Sequence, residues 1–236
     1  MIHLTKNTQR FFDVIIPSNH NEAKKMIAFA SYLGIKYLLM VINNLITKIN
    51  ETALSEIIAN MMNSAHKYSI ELKFAYLFRD IKTRDRIIFD RLFDRLQIVK
   101  MLDISCEKWK EHLRREVFHV FFVTFDNLQQ INKGVYEVAR AKRKYFIISL
   151  RTLIFSDKSV RAKLLLNARK NIDILNKSDF NLLFGSGATN INEMRNPRDI
   201  RSFLKLLEVR DDIASLSISQ RARIFFFLHK PYIIIH

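Results

Sequence analysis

The sequence predicts an all-α fold, a multi-helix bundle of about nine or ten helices. Four Gly and three Pro are few for 236 residues, and sheet-rich folds usually spend these residues on their turns. Apolar side chains that recur every three or four positions favour helices joined by short loops. Nearly half of the residues are apolar, so the chain can bury a sizeable core.

The first part of the chain is expected to be an arm followed by helices. Residues 1–17, which contain an apolar run and end at Pro17, are predicted to be an N-terminal arm or a short strand. Asn19, with Glu22 three residues later, has the spacing of a capping box, so a helix is predicted from there to Gly34. Further helices with one-sided apolar patterns are predicted over 35–49, from Asn50 or Thr52 onward, over 68–81, and from 83 to about 102.

The middle of the chain is expected to be helical as well. A helix is predicted from Asp103 or Ser105 to a stop at Gly134, and its Phe-rich second half indicates a buried position. The segment Arg140–Lys170 follows, in which many Lys and Arg residues stand against the single acid Asp157. We expect two helices that divide at Asp157, with their apolar side chains inward and their charges outward.

A flexible-looking loop predicts how the chain is organised into lobes. Phe184–Asn190 contains Gly-Ser-Gly, a composition typical of hinges. It would separate a main helical lobe with a basic face, residues 18–184, from a smaller C-terminal helical lobe and tail, residues 185–236. Beyond it, Asn196 followed by Pro197 predicts a helix start, because Pro suits the first helical position.

The charge balance indicates a polyanionic partner. The formal net charge is +16 at neutral pH, and a field of that sign concentrates polyanions. Phosphate backbones are bound by Lys and Arg on a rigid surface, so the basic segment is the predicted nucleic-acid-binding surface. The proposed contact residues are Arg140, Lys142, Arg143, Lys144, Arg151, Lys158, Arg161, Lys163, Arg169 and Lys170.

Arg114 and His119 are the residues with a catalytic interpretation. Their Arg-x4-His spacing resembles the motif of HEPN ribonucleases, although Arg115 stands where such motifs often have a polar residue. The resemblance implies a helical ribonuclease in which His acts as acid or base and Arg stabilises the phosphate. No cofactor and no metal site are predicted. The single cysteine, Cys106, excludes an internal disulfide and a cysteine-based zinc site.

The leading interpretation is a non-enzymatic nucleic-acid-binding protein, with RNA favoured, that acts within an assembly. A viral nucleocapsid and an organellar ribonucleoprotein both fit, as a homo-oligomer or as a subunit of a larger complex. An intracellular, reducing compartment is expected. Two alternatives stay open: the HEPN-like ribonuclease, and a membrane-apposed subunit whose Phe-rich helices meet lipid while its charges meet head groups.

Overall fold

A computed structural model describes residues 10–46, 51–79 and 91–228. Its centre is a sheet of seven parallel strands in sequential order. The strands are Phe11–Ile15 (β1), Ile35–Val41 (β2), Glu71–Phe78 (β3), Val99–Asp103 (β4), Val120–Thr124 (β5), Tyr145–Ser149 (β6) and Leu182–Gly185 (β7). The predicted all-α fold is therefore wrong. The chain is an α/β protein whose sheet curves into a near-barrel.

Helices connect the strands and cover the outside of the sheet. They are His20–Tyr32 (α1), Glu51–Lys67 (α2), Trp109–Arg114 (α3), Lys133–Ala141 (α4), Arg151–Phe155 (α5), Lys158–Arg169 (α6), Ile172–Leu175 (α7), Pro197–Leu206 (α8), Asp211–Ile218 (α9) and Gln220–Leu228 (α10). Residues 91–96 are also helical, and 3₁₀ segments lie at 43–45, 125–130 and 191–193. The caps predicted at Asn19 and Asn196 are confirmed, because Asn19 accepts from the Glu22 amide at 2.9 Å and Asn196 from the Arg198 amide at 2.8 Å.

The strands were predicted as helices for a physical reason. Parallel strands covered on both faces are apolar throughout, and short apolar runs of this kind have no periodicity that separates them from buried helices. The predicted helix over 35–49 is wrong where β2 lies, and that over 68–81 is β3. The helix predicted from Asp103 to Gly134 contains β5. Of the helix predicted from 83 to about 102, residues 83–90 lie outside the described residues, and its last residues are wrong because they belong to β4.

Alternate residues of each strand fill the inside of the barrel. This spacing is expected because successive side chains of a strand point to opposite faces. The inward residues are Phe12, Val14, Tyr37, Leu39, Val41, Ala75, Leu77, Val99, Met101, Val120, Phe122, Tyr145, Ile147 and Leu183. The outward residues, such as Phe121 and Phe146, pack against the surrounding helices. The barrel interior is thus a packed apolar core.

The sheet is closed by contacts between β1 and the end of β7. The Gly187 amide donates to the Val14 carbonyl at 3.0 Å, and the buried Asp13 carboxylate accepts from both the amide and the hydroxyl of Ser186. A Cβ at Gly185 would lie 2.6 Å from Val14, so only Gly allows the two segments to approach. This seam, residues 13–14 with 185–188, joins the first strand to the last.

Helix α10 covers the amino end of the barrel. Its Phe226 ring lies 6.3 Å from Phe12 and 5.1 Å from Tyr37, and Phe225 lies 5.2 Å from Tyr145. The opposite, carboxyl end is surrounded by the loops that follow the strands.

The predicted domain boundaries stay predictions. The boundary between lobes 18–184 and 185–236 falls within β7. Residues 11–15 of the predicted arm form β1, while residues 1–9 and the tail from residue 229 lie outside the described residues.

Candidate nucleic-acid interface

Strand β6 divides the predicted basic segment into two groups. Arg140 to Lys144 precede the strand, at the amino end of the barrel, and Arg151 to Lys170 follow it, starting from the carboxyl end. The first half of the segment is therefore not the single helix that was predicted. Five strand residues span roughly 17 Å, so the predicted residues do not form one continuous stripe.

The cations before β6 are mostly engaged by protein groups. Arg140 lies 3.0 Å from Glu137 and 3.3 Å from Asp179. Lys142 lies 3.2 Å from Glu116. Arg143 is exposed and has no ion pair among the described residues. Exposed ion pairs contribute little stability, but the acids lower the local positive potential that a phosphate would feel.

Lys144 is a structural residue rather than a surface cation. Its side chain is 0% exposed, and its ammonium donates to the carbonyls of Arg115 at 2.7 Å and Phe118 at 2.9 Å. Burial lowers the pKa of Lys144, and the Glu116 carboxylate partly opposes this. A phosphate cannot reach this ammonium in the observed conformation.

Arg114 and His119 lie outside the context that a HEPN ribonuclease requires. Arg114 ends the short helix α3, and His119 lies in the loop directly before β5. Desolvation and the nearby Lys144 lower the pKa of His119. The expected helix-bundle seam is absent from the described residues, because the fold is α/β. The structure therefore does not support a helical ribonuclease.

The cations after β6 surround a compact turn that we call the α5–α6 corner, residues 151–163. Arg161 fixes this turn by donating to the carbonyls of Leu153, Ile154 and Ser156. Arg151 binds both carboxylate oxygens of Glu193 at 2.8 Å, and this pair holds the pKa of Glu193 at about 2. Both arginines therefore organise the corner.

Other cations of the corner are available to a ligand. Lys158 and Lys163 are exposed and have no acidic partner among the described residues. Lys170, further along, donates to the Asn167 side chain at 3.4 Å and has no acidic partner in the described part of the chain, whereas Arg169 is paired with Glu208 at 3.1 Å. The corner thus presents unneutralised positive charge on a fixed backbone.

Two site residues were missed by the sequence analysis. Phe155 is 48% exposed at the end of α5, and the Arg195 guanidinium lies 5.0 Å from its ring centroid. The two residues are 40 positions apart, so only the fold brings them together. An Arg directly before the confirmed cap at Asn196 was the one available signal, since it had to lie near a helix start.

The carboxyl end of the barrel is where barrel enzymes place their active sites. Asp103 accepts from the Ser105 amide at 2.9 Å and lies 3.6 Å from Arg79, and Asp13 is committed to the seam. Within the described ranges, no three His, Cys, Asp or Glu side chains are grouped closely enough to hold a metal ion. None of the described helices combines the length and apolar character that a membrane crossing requires.

The architecture and the basic corner define the class of the molecule, a parallel β/α barrel of the TIM-barrel type with a cationic surface. Residues 120–226 match the family model described as RNase P subunit p30. The match begins with β5, ends within α10 and covers just under half of the chain. Curated proteins gave no sequence match.

Solved structures share the fold. A chain in a cryo-EM structure of archaeal ribonuclease P with mature tRNA is similar with a TM-score of 0.67 and 14% identity, and the match covers 95% of each chain. Dihydroorotase from Campylobacter jejuni gives a TM-score of 0.55 at 12% identity, covering 98% of this chain and 88% of the enzyme. At such low sequence identity, the structural similarity shows the barrel fold alone, and this fold hosts many activities.

Proposed function

We propose that the chain is a non-catalytic, RNA-binding subunit of a ribonucleoprotein, and specifically of a complex of the ribonuclease P type. The observation that carries this proposal is the agreement of two likenesses. Residues 120–226 match the RNase P subunit p30 family, and the whole fold resembles a chain in a ribonuclease P that holds mature tRNA. RNA and the other components of a larger assembly are accordingly its partners.

Charge and site geometry support the same function. A net charge of +16 favours capture of a polyanion. The α5–α6 corner carries exposed Lys158 and Lys163, and Arg195 packs on its Phe155 ring; none of the three cations is paired with an acid among the described residues. Asp103 and Asp13 are engaged by protein groups, which favours a binding role over chemistry by these two carboxylates.

The type of assembly and the location of the chain are supported to different extents. The comparisons support a ribonucleoprotein and lend nothing to a viral nucleocapsid. Homo-oligomer formation, contact with a membrane surface and a reducing intracellular location stay predictions.

A salt series with labelled RNA tests the proposal. The purified full chain should bind with an affinity that falls steeply as salt rises, because each phosphate contact releases counterions. Neutralising Lys158, Lys163 and Arg195 together to Gln should weaken binding and reduce the salt slope.

A matched control set is provided by the other end of β6. The triple change of Arg140, Lys142 and Arg143 to Gln removes the same charge but should weaken binding less. If both sets have equal effects, the interface is not at the α5–α6 corner. If the parent chain shows no salt-dependent RNA binding, the proposed function is wrong.

A further inference from the structure

The Phe155 ring is an exposed apolar surface held on a rigid support. Nearly half of the side chain is accessible although Phe is usually buried. The ring belongs to the last residue of α5, whose final carbonyls are capped by the Arg161 guanidinium at 3.0 to 3.1 Å. The backbone that carries the ring is therefore fixed before any ligand binds.

The Arg195 guanidinium is oriented but only partly used. Its Nη1 donates to the carbonyls of Asn192 at 2.9 Å and Met194 at 2.8 Å. Its Nε and Nη2 groups have no partner among the described residues. Those two groups form the edge with which Arg binds a phosphate bidentately. One side of the guanidinium thus faces the Phe155 ring while one edge remains open to an anion.

The loop that carries Arg195 is preorganised. Glu193 accepts from Arg151 on one side and from the amide and hydroxyl of Thr189 on the other. The Ile191 amide donates to Glu22 of α1 at 2.7 Å. Fixing a binding loop in advance reduces the conformational entropy lost when a ligand binds.

Space for a ligand adjoins this pair. A cavity of about 380 Å³ is lined by Arg195, Asp199, Ser202, Phe203 and Leu206. Lys158, three residues beyond Phe155, is exposed and has no acidic partner among the described residues. The surroundings therefore offer a flat apolar face, a cleft beside it and positive charge within one small area.

We propose that Phe155 and Arg195 form a binding site for one unpaired nucleotide of RNA. The base stacks on the open face of Phe155, and a flanking phosphate is held by the Nε–Nη2 edge of Arg195 and by Lys158. The site rests on the proposed RNA-binding function and adds to it a preference for single-stranded segments. Bases within a duplex are stacked on each other, so only an unpaired base can reach the ring.

An apolar protein partner would fit this surface less well. Docking such a partner would bury the open Arg195 edge and the Lys158 ammonium without a counter-charge, which is costly. A nucleotide supplies the phosphate that satisfies both groups and the flat ring that satisfies Phe155.

The test compares two single-stranded RNAs of equal length, one normal and one abasic over its central segment. Phe155→Ala should lower affinity for the normal strand by about tenfold, the scale of one lost base–aromatic stack, and leave the abasic strand nearly unaffected. Phe155→Trp should keep the affinity, and its indole emission should be quenched by the normal strand. The native Trp109 is 3% exposed and makes a stable background.

Tyr32→Ala is the matched control, because Tyr32 is an exposed aromatic residue at 83% accessibility on α1. It should bind both strands as the parent does. Parent-like binding by Phe155→Ala would overturn the stacking site while leaving general RNA binding intact, as would equal losses on both strands. Absence of any RNA binding by the parent chain would overturn the proposed function and this site together.

Discussion

Lys144 and Lys158 flank the same strand of the barrel, yet their surroundings are opposite. Lys144, at the amino end of β6, is fully buried and donates to two backbone carbonyls. Lys158, beyond the carboxyl end, is exposed and has no acidic partner among the described residues. The difference shows that density of positive charge in a sequence does not separate cations that hold the fold from cations that meet a ligand.

The largest expected effect is a loss of stability when Lys144 is replaced. Lys144→Met removes the ammonium and leaves the carbonyls of Arg115 and Phe118 without their buried donor. We expect the free energy of unfolding to fall by about 2 to 4 kcal/mol. Chemical denaturation measures this. Lys142→Met, an exposed neighbour, should change stability by less than about 1 kcal/mol, and a similar loss in both variants would contradict the structural role of Lys144.

The next effect concerns the seam that closes the barrel. Gly187 has a φ of +65°, and a Cβ there would lie 1.9 Å from the Ser149 hydroxyl oxygen. Gly187→Ala should therefore destabilise the fold by roughly 2 kcal/mol, because both the backbone strain and the clash are unfavourable. Adding Ser149→Ala should restore part of the thermal stability, because it removes the contact at 1.9 Å and leaves the one at 2.8 Å with the Cβ of residue 149.

Gly134 supplies the contrast for that substitution. It lies in α4, where a Cβ would meet only ordinary contact at 3.5 Å. Gly134→Ala should be neutral or stabilising by up to about 1 kcal/mol. If Gly134→Ala destabilised the fold as much as Gly187→Ala, the effect at Gly187 could not be assigned to the strain and the clash at the seam.

The buried charge of the seam should make stability depend on pH. Burial raises the pKa of Asp13 to about 7, against the hydrogen bonds from Ser186 and Val14 that lower it. Because the folded pKa exceeds the unfolded value, stability is lost as pH rises from about 4 through 7, by at most about 1.4 kcal/mol per pH unit. Asp13→Asn should remove this dependence, so its stability relative to the parent should increase between pH 5 and 8. The test is to measure denaturation midpoints of both proteins at several pH values. A difference between the two midpoints that does not change with pH would contradict this prediction.

The smallest expected effect on stability is at the α5–α6 corner. Lys158→Gln with Lys163→Gln should change the free energy of unfolding by less than about 0.5 kcal/mol, since neither ammonium has a protein partner. The same variant should weaken RNA binding and lower the salt slope by about one for each lost phosphate contact. A destabilised variant with parent-like RNA affinity would show that these lysines stabilise the fold, as Lys144 does, and do not bind RNA.

The helix starts and the sheet differ in how well the sequence predicts them. The Asn19 and Asn196 caps are local signals, and both helices were predicted correctly. The sheet was missed because runs such as Tyr145–Ser149 are buried on both faces and carry no alternation. The few Gly residues that were taken against a sheet include Gly185 and Gly187, which close it.

The candidate site was predicted only in part. Lys158 and Lys163 were found from charge alone, and the structure leaves them exposed. The pairing of Phe155 with Arg195 depends on the turn from β7 into α8, a long-range relation that no local pattern contains. The burial of Lys144 depends on carbonyls 26 and 29 residues away, so charge counting could not separate it from its neighbours.

The most direct test of the account is to recover the tagged full chain from its native cells and sequence the RNA that accompanies it. A ribonucleoprotein subunit should be recovered with a defined RNA that is enriched relative to the RNA recovered with a basic protein of similar charge. An RNA profile that matches this basic control, or a complex without RNA, would contradict the claim that the chain is a ribonucleoprotein subunit.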